Sequence, residues 1–117
     1  MNIEELKKKL SNKWPIFEKL HIFILSINPK IEYRIFPIYV RYCLGEKIIV
    51  LVYFQGKFVL NNQLDVGLSL KEKPRSSNFI SAKYMHYPEI NYSIKITDRA
   101  ELTKNLSKVI KSTISNQ

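Results

Sequence analysis

The sequence has a single cysteine, Cys43, in 117 residues. No intramolecular disulfide can form, and a reducing, cytoplasmic setting is the expectation. Glycine is almost as scarce. Gly45, Gly56 and Gly67 are the only three, each isolated, which excludes a glycine-rich phosphate loop. The two histidines, His21 and His86, lie far apart in the chain. His86 has Glu89 close by, but Pro88 prevents a helix from presenting both, so neither a metal site nor a cofactor is expected. Long apolar runs are missing too. The longest nearly uncharged stretch, residues 48–54, is far shorter than the roughly 20 residues needed to cross a bilayer, so no membrane partner is expected. The opening Met1-Asn2-Ile3-Glu4-Glu5-Leu6-Lys7-Lys8-Lys9 places acids before bases with no apolar stretch behind, the wrong order for an export signal.

Acidic residues are few: 10 Asp and Glu stand against 19 Lys and Arg, a net charge of +9. That excess favours a polyanion partner, nucleic acid above all, although lysine-rich surfaces also serve solubility. What is plentiful is core material. At 45% hydrophobic and 12% aromatic residues, the chain can bury an interior without a staple, and its length suits one domain over residues 1–117.

The pattern along the chain predicts an α+β fold. Ile3, Leu6 and Leu10 mark a short amphipathic helix over 2–10, with Glu4 and Glu5 in its first turn and the lysines later. A second helix starts near Trp14-Pro15, and Ile16, Leu20, Phe23, Ile24 and Ile27 form its buried stripe. His21 falls off that stripe, on the polar side with Glu18. Asn28-Pro29 ends the helix.

Strands follow at 31–36, 38–44, 48–54 and 58–60, separated by short turns, then at 64–70, where Leu64, Val66, Leu68 and Leu70 alternate with Asp65, Gly67 and Ser69 as though one face were wet. Residues 71–88 read as a long irregular loop, and 92–96 as a last strand. Thr97-Asp98 with Glu101 resembles a capping box for a closing helix whose stripe is Leu102, Leu106, Val109, Ile110 and Ile114. The expectation is an antiparallel meander of about five strands packed against two N-terminal helices and one C-terminal helix.

The stretch Tyr39-Val40-Arg41-Tyr42 with Gly45, the apolar strands after it, Asp65 with its alternating strand, Tyr92-Ser93-Ile94-Lys95-Ile96, and the closing helix with Val109-Ile110 and Ser112 resemble a bacterial domain family of unknown function. The resemblance covers residues 15–114. It implies a domain often found in longer chains labelled predicted transport proteins, sometimes behind a nuclease-like domain. A weaker similarity, through Ile31-Glu32-Tyr33, Pro37, Tyr39 and Gly45, is to a small bacterial family with a frataxin-like fold. Iron handling of that kind wants an acidic surface, and here Glu4 and Glu5, the only adjacent acids, run straight into three lysines. Neither resemblance implies catalytic residues.

No catalytic constellation is visible, so the expectation is a non-catalytic binding module. Cys43 sits between Tyr42 and Leu44 in an apolar strand, which suits a structural thiol better than a nucleophile. Only a pocket bringing Cys43, His86 and Asp65 together would argue for an enzyme. The candidate anion-binding residues are Lys71, Lys73, Arg75 and Lys83, interleaved with the aromatic Phe79, Tyr84 and Tyr87. Lys104, Lys108 and Lys111 make a second basic stripe on the closing helix. The alternative is a protein–protein or small-ligand module using the sheet face, or a homodimer built on it, with Tyr33, Phe36, Tyr39, Tyr42 and Tyr53 as contact groups.

Overall fold

The computed structural model describes residues 1–75, 78–98 and 104–115. Helix α1, Ile3–Leu10, begins where Asn2 Oδ1 accepts the Glu5 N–H at 2.9 Å, and it buries Leu6 and Leu10. One 3₁₀ turn, Ser11–Lys13, leads into α2, Trp14–Ile27, which carries Pro15 in its first turn. In the last helix, α3, Lys104–Ser115, Leu106, Ile110 and Ile114 point into the core. The proposed cap at Glu101 and the stripe residue Leu102 lie outside the described residues.

Among the described residues six strands form one antiparallel sheet: β1 Ile31–Ile35, β2 Tyr39–Leu44, β3 Lys47–Tyr53, β4 Leu64–Leu68, β5 Ile80–Ser81 and β6 Tyr92–Ile96. Their spatial order is β1-β2-β3-β4-β6-β5. The first four make the expected meander, with Gly45 at φ 64° in the tight β2–β3 turn, where glycine costs no strain. The rest corrects the expectation of about five strands in simple succession. After β4 the chain crosses to the sheet edge as β5, and β6 returns between β5 and β4. A two-residue strand has no periodicity to read, so β5 left no trace in the pattern. Residues 58–60, expected as a strand, are turns instead. The Val59 N–H reaches the Gly56 carbonyl, and Phe58 and Val59 fold back onto the sheet.

Helices α1, α2 and α3 cover one face. Val40 and Tyr42, Val50 and Val52, Leu64, Val66 and Leu68, and Ile96 meet Leu6, Phe17, Leu20, Ile24, Leu106 and Ile110 there. The other face is also covered. Leu51 and Tyr53 pack under Ala82, Met85 and Ile90 of the segment between β5 and β6. Every residue of β4 is consequently buried, so the expected wet face of Asp65 and Gly67 is absent. Gly67 permits this. A Cβ there would sit 2.6 Å from Met85 Sδ and 2.7 Å from Ile90 Cγ2.

His21 also departs from expectation. It is buried, its ring stacks on Phe17, and its Nδ1 lies 2.8 Å from the Tyr42 hydroxyl. Tyr42 points up from β2 into the helix layer and gives the imidazole a partner that an amphipathic stripe cannot reveal. Burial lowers the His21 pKa below the ordinary imidazole value. Lys13 is buried likewise, its Nζ donating to the Phe54 carbonyl at 2.6 Å, and desolvation lowers its pKa. Among the described residues no helix is long and apolar enough to cross a membrane.

Candidate anion-binding site

A cleft of about 470 Å³ lies between residues 69–75 and α3. Its geometry starts from β4. Beyond Leu68 the ladder continues through a side chain: Asn91 Oδ1 accepts the Leu70 N–H at 2.9 Å, and its Nδ2 donates to the Leu70 carbonyl at 2.7 Å. The Asn91 backbone N–H meanwhile reaches the Leu68 carbonyl at 3.1 Å. Leu70 is thereby held half-buried against the helix-side core, as is Val109 from α3, and both line the cleft.

Above this apolar pair the lining is basic. Lys71, Lys73 and Arg75 come from the loop, and Lys108 comes from α3. Ser69 and Ser112 add polar groups, and among the described residues Glu72 is the only acid in the lining. Lys108 and Ser112, four residues apart, share the helix face that looks away from Leu106 and Ile110. Four cations around one acid make a concave region of positive potential, since charges of one sign on low-dielectric walls focus the field into the cleft.

The structure thus joins two basic segments that are distant in sequence, Lys71–Lys73–Arg75 and Lys108. In the sequence they are separate stripes, because Arg75 and Lys108 lie on different elements far apart along the chain. Lys111 is exposed but does not line the cleft.

Lys83 and Tyr87 belong elsewhere. With His86, Pro88, Ile90 and Asn91 they border a separate pocket of about 400 Å³ on the other face of the sheet. Tyr84 is turned inward. Its hydroxyl donates to Asp65 Oδ2 at 2.7 Å and lies 2.6 Å from Ser93 Oγ. Its ring meets Phe58 edge-on. Burial, and after it the contact with Asp65, raises the Tyr84 pKa above the ordinary phenol value. The wholly buried Asp65 also receives Lys95 Nζ at 2.9 Å, while its Oδ1 has no hydrogen-bond partner. This network anchors the 3₁₀ turn Lys83–Met85 over β4 and β6, so the Tyr84 ring does not stand free to stack on a base.

The aromatic residues of the sheet are also largely spent in packing. Rings of Phe36, Tyr39, Tyr53 and Phe58 follow one another across the outer face at centroid spacings of 4.7, 4.7 and 5.1 Å. The Tyr39 and Tyr87 hydroxyls bond to each other, and burial together with that bond raises the Tyr39 pKa. Tyr42 faces the helices. Cys43 is half-buried opposite Glu32 and Ile48, whereas Asp65 lies opposite Tyr53 and Lys95. His86 is exposed at φ 59° in the connection after the 3₁₀ turn. Among the described residues no three His, Cys, Asp or Glu side chains gather closely enough to hold a metal ion.

Comparison with known proteins finds no matching family model, no similar curated protein and no similar solved structure.

Proposed function

We propose that the protein is a non-catalytic binding module for a polyanion, and that the phosphate backbone of nucleic acid occupies the cleft between residues 69–75 and α3. The observation that supports this is the convergence of Lys71, Lys73, Arg75 and Lys108 on one concave site in a chain of net charge +9. Among the described residues the lining contains cations and hydroxyls but no aromatic ring. It suits phosphates rather than bases, so recognition is electrostatic and independent of base sequence. A reducing cytoplasm and the fusion context implied by the resemblance of residues 15–114 belong to the same reading.

Anisotropy of labelled single- and double-stranded oligonucleotides, titrated at several salt concentrations, tests it. Four phosphate contacts would give a log–log salt slope of about −3 to −4. Replacing Lys71, Lys73 and Arg75 together by alanine is expected to flatten most of that slope while circular dichroism stays unchanged. No binding at low salt, or an unaltered slope in the triple variant, would remove the cleft from the function.

A further inference from the structure

The sheet ends on two very different edges. β5 is two residues long, whereas β1 presents five residues and, among the described residues, pairs only with β2. The hairpin between β1 and β2 sets which backbone groups of β1 are free. Phe36 N–H donates to the Tyr39 carbonyl at 2.8 Å, so the antiparallel alternation turns the amides of Arg34 and Glu32 toward β2. Those of Ile31, Tyr33 and Ile35 then point off the open edge. The Ile31 N–H is already taken by the Asn28 carbonyl at 3.2 Å. Tyr33 and Ile35 keep their donors, and Ile31 and Tyr33 their acceptors, facing outward over an exposed stretch at residues 32–34.

The side chains of this edge are Ile31-Glu32-Tyr33-Arg34-Ile35, an order that is its own complement when read in reverse. We propose that β1 pairs antiparallel with β1 of a second copy of this chain, about a two-fold axis through Tyr33, joining the two sheets into one. In that register Glu32 lies opposite the partner's Arg34, Ile31 opposite the partner's Ile35, and the two Tyr33 side chains oppose each other. Opposite charges and aromatic pairs placed directly across a ladder are the stabilising combinations. The Tyr33 pair and the Ile35-to-Ile31 pairs supply the backbone bonds, each with donor and acceptor already aimed outward.

Charge selects this register over its neighbours. A slip of two residues in one direction sets Glu32 against its own copy, and in the other sets Arg34 against its own copy. A slip of one residue puts core side chains on the wrong face. Pro29 and Pro37 bound the strand, so the paired segment cannot lengthen.

The monomer also leaves a charge conflict that the pairing relieves. Arg34 lies directly opposite Arg41 on β2, with both guanidinium groups over the Phe36 ring at 5.1 and 5.0 Å. Among the described residues Glu32, Arg34 and Arg41 join no ion pair. The partner's Glu32 brings an acid to this basic pair. The contact is a two-fold, self-complementary one and closes on itself, so it ends in a dimer rather than a fibre.

Sedimentation velocity of the full chain over a concentration series tests the pairing. An interface built on one strand is small, so a reversible monomer–dimer equilibrium in the micromolar range is expected. Glu32→Arg and Arg34→Glu are each expected to weaken the dimer at least tenfold, because each sets like charges in register twice. Mixing the two variants in equal amounts restores association, since opposite charges then face each other at both positions. Hydrogen exchange at the Tyr33 and Ile35 amides slows as protein concentration rises. A monomer at high micromolar concentration would overturn the proposal. So would a dimer indifferent to Glu32→Arg, or a mixture that associates no better than its components. None of these readouts involves the basic cleft, so this pairing and the anion-binding reading stand or fall separately.

Discussion

Asn91 clamps the backbone of Leu70 from both sides, its side-chain oxygen accepting the Leu70 N–H and its side-chain nitrogen donating to the Leu70 carbonyl, at 2.9 and 2.7 Å. The amide acts as one more rung of the sheet beyond the last residue of β4. It fixes where the chain turns away and, one residue later, where Lys71 enters the basic cleft.

Asn91→Ala should therefore affect binding without removing a charge. Two exposed hydrogen bonds contribute about 1 kcal/mol in all once exchange with water is allowed for, which a urea titration would register as a modest fall in midpoint. Oligonucleotide affinity is expected to drop several-fold with the salt slope nearly unchanged, because the cations remain but are less well placed. Affinity equal to that of the parent protein would show that the clamp does not position the cleft.

Gly67→Ala tests the outer layer. The added methyl would meet Met85 Sδ and Ile90 Cγ2 well inside van der Waals contact, and it would press the segment carrying Tyr84 off the sheet. Overpacking of this kind costs about 1–3 kcal/mol. Shortening the obstructing side chain as well, in a Gly67→Ala, Met85→Ala double variant, is expected to cost less than the sum of the single changes. Strict additivity in urea unfolding would mean that Met85 and the new methyl do not compete for space.

The buried imidazole of His21 predicts a pH dependence. Its pKa in the folded protein is lowered by burial, whereas in the unfolded chain it stays near the ordinary value. Below that ordinary value the unfolded state binds more protons, so stability falls as the pH drops from about 7 toward the depressed folded-state pKa. His21→Gln, which cannot titrate, should lose this part of the slope between about pH 7 and pH 5. Urea midpoints of both proteins across that interval decide the point. Parallel curves would mean that another group carries the acid sensitivity.

The elements most legible in the sequence were those with a long period and a local cause. Glu4 and Glu5 in the first turn of α1 and Pro15 in that of α2 mark the helix starts, Asn28-Pro29 marks a helix end, and the apolar run through β3 reads as a buried strand. Position 21 misleads because periodicity measures apolarity, and a histidine with a tyrosine partner is buried without being apolar. The alternation at 64–68 misleads differently. It is real, but whether the second face is wet depends on residues 82–90, which the local pattern does not contain.

The same division runs through the candidate site. The scarcity of acids, cysteine and glycine, and the basic loop at Lys71, Lys73 and Arg75, are properties of composition and order, and they narrowed the chemistry before any fold was known. That Lys108 joins this loop while Lys83, Tyr84 and Tyr87 turn to the opposite face was decided by the sheet. The return of β6 between β4 and β5 carries Asn91 to Leu70 and Tyr84 to Asp65. Composition and period act over a few residues, whereas these pairings join segments about 20 positions apart, brought together only when apolar surface is withdrawn from water on both faces of one sheet.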